Sequence, residues 1–311
     1  MRPLRNALLW ASHNTWLAER VPRYRFARAA VRRFMPGEDL DSALRATQEI
    51  QNRQMGTVLT RLGENVTDSA AANDVATHYL HALERVSRDK LDAQISVKLT
   101  QLGLDIDPAM AETYVRSIAA RAAAVDNVVW IDMESSAYVD RTLALFRSVL
   151  ADHRNIGLCL QSYLRRTPDD LDSLLPHTAA IRLVKGAYDE PAASAYPRKR
   201  DVDAAYLRLA VRLVRAARNR TDTPAPAIAT HDLKLLDQIV RTAGTAGVGR
   251  DAYEVHMLYG IGAREQQRLA DAGHGVRVLI SYGEAWFPWY VRRLAERPAN
   301  IGFVIRSMAM R

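Results

Sequence analysis

Cysteine is nearly absent. Cys159 is the single one among 311 residues, so an intramolecular disulfide and a cysteine-based metal cluster are both excluded. It stands in the apolar run GLCLQ, where a buried structural thiol is expected rather than a reactive one. Long apolar runs are absent too. None approaches the ~18 residues that a membrane span needs. The apolar stretch in MRPLRNALLWASHN is too short for the core of a secretory signal, and Glu19 and more arginines follow it. These absences predict a cytoplasmic protein. GxGxxG, the P-loop and HExxH are missing; Gly260 and Gly262 in YGIGAREQ supply only half of a dinucleotide fingerprint. Histidines and acidic residues lie too far apart for metal-ligand spacing, and no metal is expected. Lysine is also scarce: of 43 Lys and Arg residues only five are lysine, namely Lys90, Lys98, Lys185, Lys199 and Lys234. Two of the five, Lys98 and Lys185, directly follow short apolar runs, which asks what a lysine does there.

What is present describes a globular chain. Hydrophobic residues make up 48% and charged residues 25%, enough for a sizeable core. The formal net charge is +8, compatible with an anionic partner. Much of the excess lies in RVPRYRFARAAVRRF, with Arg20, Arg23, Arg25, Arg28, Arg32 and Arg33. A solvated helical arm is the first reading of that segment. Peripheral contact with an anionic inner membrane face is the second, and no nucleic-acid partner is expected.

Residues 1–50 read as a helical arm, with ALLWASHNTWLAERV and DSALRATQEIQNRQ as amphipathic segments. From residue 51 to 311 short β-rich runs alternate with amphipathic helices. The runs are TVLTRLGEN, QISVKLTQLG, VVWIDMES, IGLCLQSYL, AIRLVKGAY, AIATHD, YEVHMLYG and VRVLISYGE. Continuous apolar strands alternating with helices imply a parallel sheet. Eight such units predict an α/β fold, a distorted (β/α)8 barrel; an open doubly wound sheet is the alternative. A barrel builds its site at the carboxyl ends of the strands. The runs deliver Glu64, Lys98, Asp132 with Glu134, Gln161, Lys185 with Tyr188, His231, and Glu254 with His256 toward that end. Each is unremarkable as a polar loop residue, but together they predict a chemically equipped mouth.

At this point SVKLTQLG, RLVKGAY, YEVHMLYG and VRVLISYGEAWFPWYVRRLAERPAN, supported by LGEN, IDMES and ATHD, resemble the FAD-dependent proline dehydrogenases of the monofunctional bacterial type. The resemblance covers most of the chain after residue 57. It implies oxidation of L-proline to 1-pyrroline-5-carboxylate by hydride transfer to the N5 of noncovalent FAD, with electrons passed to a quinone-type acceptor. By resemblance Arg292, Arg293 and Lys98 bind the substrate carboxylate, a task suited to planar guanidinium forks. Glu64 pairs with one of those arginines as a gate. Asp132, Tyr188, Leu258, Leu279 and Trp289 line the substrate pocket. Arg182 stands beside flavin N5, where a positive donor favours reduced, anionic flavin. Gln161 bonds the ring, and Lys185, Gly186, Ala187, Arg198, Thr230, His231 and Glu296 contact the rest of the cofactor.

The chain also departs from the family pattern. Leu279 and Trp289 stand where the family usually has tyrosine, His256 where it has glutamine, and Asp189 where it has an apolar residue. The tyrosine at the first position helps hold the pocket acid. Leu279 cannot, so Asp132 is expected to lack a donor unless water or Tyr188 supplies one. Leucine is also shorter, which frees room where a ring substituent would project, with Trp289 taking some of it back; the two changes open an alternative substrate, a modified cyclic imino acid or another secondary amine or N–N compound. Two further alternatives are a Schiff-base barrel lyase using Lys185 as nucleophile and a non-catalytic anion-binding protein acting through its basic arm.

Overall fold

Eight short strands carry almost uninterrupted burial, as strands covered on both faces must. They are β1 (Gly56–Arg61), β2 (Ala93–Val97), β3 (Val129–Ile131), β4 (Ile156–Gln161), β5 (Ala180–Val184), β6 (Ala227–Ala229), β7 (Glu254–Leu258) and β8 (Gly275–Tyr282). In this computed structural model, which describes residues 31–177, 179–219 and 223–296 together with isolated positions before 31, each strand pairs in parallel with the next. β8 returns to β1 over the register Gly56↔Arg277 to Arg61↔Tyr282, so the barrel is closed. Each of the eight predicted runs overlaps one of these strands, three of which start one residue earlier. The closed order rules out the open-sheet alternative.

The helices are α1 (Leu40–Gln51), α2 (Ser69–Arg88), α3 (Pro108–Ala123), α4 (Val139–Leu150), α5 (Thr167–Leu174), α6 (Lys199–Ala216), α7 (Leu233–Thr245), α8 (Ala263–Asp271) and α9 (Trp286–Glu296). Several begin at an aspartate whose carboxylate accepts backbone N–H groups of the first turn: Asp39 from Ser42, Asp68 from Ala70 and Ala71, Asp107 from Ala109, and Asp232 from Leu235. Such caps satisfy otherwise orphaned donors and are each worth about 1 kcal/mol. The outer helices bury their apolar faces against the strands in one continuous core that includes Tyr79, Val115, Phe146, Leu209 and Ile239. α1 belongs to that core through Leu40, Ala43, Leu44 and Ile50. A smaller cluster joins Phe34 and Met35 to Trp286, Phe287 and Tyr290, seating the start of α9 beside the chain that leads into α1. The expected helix over ALLWASHNTWLAERV lies largely outside the described residues. Among the described residues no helix is long and apolar enough to cross a membrane.

Candidate active site

The carboxyl end of the barrel gathers one compact charge cluster. Lys98 and Asp132 are the first residues after β2 and β3, and Lys98 Nζ donates to Asp132 Oδ2 at 3.0 Å. Ser96 Oγ donates to the other carboxylate oxygen at 2.9 Å. Arg182 reaches across from β5, its Nη2 donating to Asp132 Oδ1 and, at 2.8 Å, to Ser96 Oγ. Burial by itself would raise the Asp132 carboxyl, but Lys98 and Arg182 outweigh it and hold it below the usual carboxylate range. Burial likewise opposes the Lys98 charge, and Asp132 and Tyr79 reverse that, leaving the ammonium above its ordinary value. Arg182 is only 2% exposed. Its Nη1 has no hydrogen-bond partner among the described residues. Buried polar groups are almost always satisfied, so one that is not calls for a reason.

The expectation that Asp132 lacks a donor because of Leu279 is not met: Ser96, Lys98 and Arg182 all serve it. The Tyr188 hydroxyl turns instead to Glu64, 3.3 Å from Oε2. Leu279 is half-buried and packs against Val58, Trp130, Ala180 and Ala227 inside the barrel.

Gln161 closes β4. Its Nε2 donates to the carbonyls of Met133 and Glu134, both at 2.8 Å. Its Oε1 is buried with no partner among the described residues, a second unsatisfied group at the mouth, able to accept an N–H. Glu134 is itself buried and accepts from Thr100 N at 3.0 Å and Thr100 Oγ1 at 2.5 Å. Burial pushes its carboxyl upward. It fixes the loop after β2, which follows Lys98.

The β5–β6 side differs in character. Lys185 Nζ bridges Asp203 on α6 at 2.6 Å and Asp232 at 2.9 Å. Asp232 therefore both caps α7 and orients Lys185. Lys199 also donates to Asp203. Thr230 Oγ1 accepts from Asp232 N at 3.0 Å, and His231 Nε2 accepts from Leu258 N at 3.0 Å, which places the imidazole proton on Nδ1. Gly186 has φ +122°, and a Cβ there would fall 2.3 Å from the Tyr163 ring. Glycine is the residue that this backbone tolerates. Ala187 and Tyr188 follow it, and Glu190 anchors the far end of the loop by accepting from Ser136 N at 2.6 Å. Arg198, just before α6, is exposed and bonds Asp201.

One sequence expectation is overturned. Glu254 and His256 do not stand at the mouth. β7 begins at Glu254, so Glu254 lies at the opposite, amino end of the barrel and His256 at mid-strand, beside Trp130. Arg277 Nε donates to Glu254 Oε1 at 2.8 Å and Arg277 Nη1 to Asp92 Oδ1 at 2.6 Å, while His256 Nε2 lies 3.0 Å from Glu254 Oε2. In sequence, polar residues at the start of the run YEVHMLYG look like residues at its end. Leu258, which ends β7, is the residue of that strand nearest the mouth. Trp289 is half-buried against the Phe34–Trp286 cluster. Arg292, Arg293 and Glu296 fall on the last turns of α9, and their side chains lie outside the described residues.

Sequence reasoning passed over Ser96 and Trp130. Both lie two residues before a selected residue, Lys98 and Asp132. Strand alternation puts i and i−2 on one face, so that signal was available.

Taken together, the closed parallel barrel and a mouth holding two cations on one carboxylate, with a donor and an acceptor left over, define a barrel enzyme site equipped for a polar, partly anionic ligand. The family model Proline dehydrogenase matches residues 43–306, and the chain belongs to that family. Proline dehydrogenase 1 of Bacillus subtilis (strain 168) is 33% identical over 305 residues, 98% of this chain and 99% of that protein. Proline dehydrogenase of Deinococcus radiodurans is 37% identical over 284 residues, 89% of each. Among solved structures, proline utilization A from Bdellovibrio bacteriovorus, inactivated by N-propargylglycine, superposes with a TM-score of 0.80 at 22% identity over 94% of this chain. A variant of the Bradyrhizobium japonicum protein of that name gives 0.72 at 24% over 91%. These two show the fold, and the chain spans only about a third of their length, 36% and 32%.

Proposed function

We propose that the chain oxidises L-proline to 1-pyrroline-5-carboxylate, using noncovalently bound FAD and passing electrons to a quinone-type acceptor. The observation that carries this reading is Arg182. In a proline dehydrogenase barrel it is buried and fixed by Asp132 and Ser96, and yet keeps one N–H without a partner among the described residues. Gln161 Oε1 supplies a complementary unsatisfied acceptor, and the left-handed Gly186 keeps the loop after β5 free of a side chain. A donor, an acceptor and a bare backbone fit the polar edge of a flavin ring. Bound flavin supplies the hydride acceptor; hydride leaves the ring carbon bonded to the amine.

Lys98, together with Arg292 and Arg293 on α9, offers cations for the substrate carboxylate. Tyr188 and Glu64 close one wall, with Leu258, Leu279 and Trp289 as apolar lining. Lys185, Ala187, Arg198, Thr230, His231 and Glu296 are assigned to the remainder of the cofactor. We assign residues 51–311 as the catalytic barrel and 1–50 as an arm whose last helix docks on it. A cytoplasmic location with peripheral contact at an anionic membrane face is supported by the arm's arginines and by exposed Trp10, Trp16 and Tyr24.

The Schiff-base alternative is disfavoured, because Lys185 Nζ is taken up between the carboxylates of Asp203 and Asp232 and is not presented to a substrate carbonyl. The altered-substrate alternative loses one of its two grounds, since Asp132 has three donors, and family membership favours proline. The test is the visible spectrum of the purified protein followed by acid precipitation. Flavin bands that pass entirely into the supernatant support noncovalent FAD. Colour kept in the pellet contradicts noncovalent binding, and a protein that takes up no FAD overturns the reading.

A further inference from the structure

Trp130 lies at the middle of β3, inside the barrel, with 0% exposure. One side of its ring meets Arg182, whose guanidinium carbon is 5.2 Å from the ring centroid. The imidazole of His256 approaches edge-on, 5.6 Å between centroids at 80°. The indole N–H donates to Gln94 Oε1 at 2.7 Å. On β4 the residue in register with Trp130 is Gly157, and a Cβ there would come within 2.4 Å of the indole. Val58, Ala180 and Ala227 complete the packing. The indole is thus held in one orientation by a hydrogen bond, a missing side chain and a ring contact.

Arg182 spends Nη2 on Asp132 and Ser96 and leaves Nη1 without a partner among the described residues. The chain at Nε and the bonds at Nη2 fix two points and leave the guanidinium plane free to turn about the line that joins them. A flat, electron-rich face removes that freedom. Tryptophan is the best such face for a cation, and the attraction grows when water is excluded.

We infer that Trp130 is a positioning residue, a buried platform anchored by Gln94 that sets the plane of Arg182 and so aims Nη1 at the cofactor. This rests on the flavin reading above. Wild-type protein is therefore first checked for FAD uptake, and failure there indicts that reading and not the platform. The experiment then compares FAD-loaded Trp130→Leu, Trp130→Phe and Gln94→Met by flavin midpoint potential, kcat and KM for proline. A cation held less firmly stabilises reduced flavin less well. Trp130→Leu is expected to shift the potential negative and lower kcat by about ten- to thirty-fold, from the strength of a desolvated cation–π contact, with KM little changed. Trp130→Phe, which keeps an aromatic face, retains most of both. Gln94→Met produces a smaller shift of the same sign. Should Trp130→Leu not fold, Gln94→Met carries the test. Wild-type potential in FAD-loaded Trp130→Leu or Gln94→Met overturns the inference, as does equal loss in the Phe and Leu variants.

Discussion

The barrel interior holds two ion clusters, one at each end, and they are opposites. At the carboxyl end Lys98 and Arg182 share the single carboxylate Asp132, an excess of positive charge. At the amino end Arg277 is shared by Glu254 and Asp92, an excess of negative charge, with His256 as a hydrogen-bonding neighbour. Arg182, Arg277, Asp132 and Glu254 are largely removed from water, where unpaired charge is costly, whereas Asp92 stands at the surface. The first keeps a buried guanidinium N–H with no partner among the described residues; in the second both carboxylate oxygens of Glu254 are engaged, and the buried atom left over is the imidazole Nδ1 of His256. A buried charge cluster marks a ligand site when a cation in it keeps a buried N–H without a partner, as Arg182 does. Where cation and carboxylates are matched, as Arg277 is by Glu254 and Asp92 at the floor, the cluster serves the fold.

That contrast can be broken by substitution. Arg182→Met should have the largest effect. Removing a charge-stabilising donor from a reacting centre costs about 10²- to 10³-fold in kcat, measured in steady state on FAD-loaded protein. Arg277→Met should leave kcat and KM near wild type yet lower stability by about 3 kcal/mol, the penalty for stranding the buried Glu254 carboxylate, read by urea unfolding. An activity loss in Arg277→Met with unchanged stability would erase the distinction between the two ends. Arg292→Met and Arg293→Met should each raise KM for proline about 10- to 150-fold while FAD stays bound, the worth of a charge-assisted hydrogen bond being about 1.5–3 kcal/mol. Unchanged KM in both places the carboxylate elsewhere.

Acid should separate the ends more gently. Burial, helped by Arg61, holds His78 at about 4, and burial also lowers His256. The folded protein then binds fewer protons than the unfolded chain below about pH 6.5, so stability falls as pH falls through that window, by about 2 kcal/mol near pH 4.5 for His78. Asp132, held below 3.8, remains ionised there. Its contribution is lost only on further acidification. Urea midpoints at pH 7, 5.5 and 4.5 should decline, and His78→Gln should flatten the decline.

The barrel was legible because burial on both faces forces continuous apolar runs, and all eight stand out in the sequence. The mouth was half legible. Lys98, Asp132, Gln161 and Lys185 directly end or follow such runs, and the fold brings them to one end. Ser96 and Trp130 were not singled out, since a serine and a tryptophan within an apolar strand look like filler until the alternation is traced inward. Glu254 and His256 were misplaced because polar residues at the start of a strand look in sequence like those at its end. Only the register of β7 against Gly275 and Arg277 fixes the side they occupy. The bonds that make Lys185 a bridge to Asp203 and Asp232 join residues far apart in sequence, and no local pattern announces them.

The most direct measurement is anaerobic addition of L-proline to the FAD-loaded protein while the long-wavelength flavin band is followed, with wild type and Arg182→Met side by side. The account predicts rapid bleaching in the wild type and bleaching slowed at least a hundredfold, roughly, when the Arg182 donor is absent. A wild-type flavin that proline does not bleach, or an Arg182→Met protein that bleaches as fast as wild type, contradicts it.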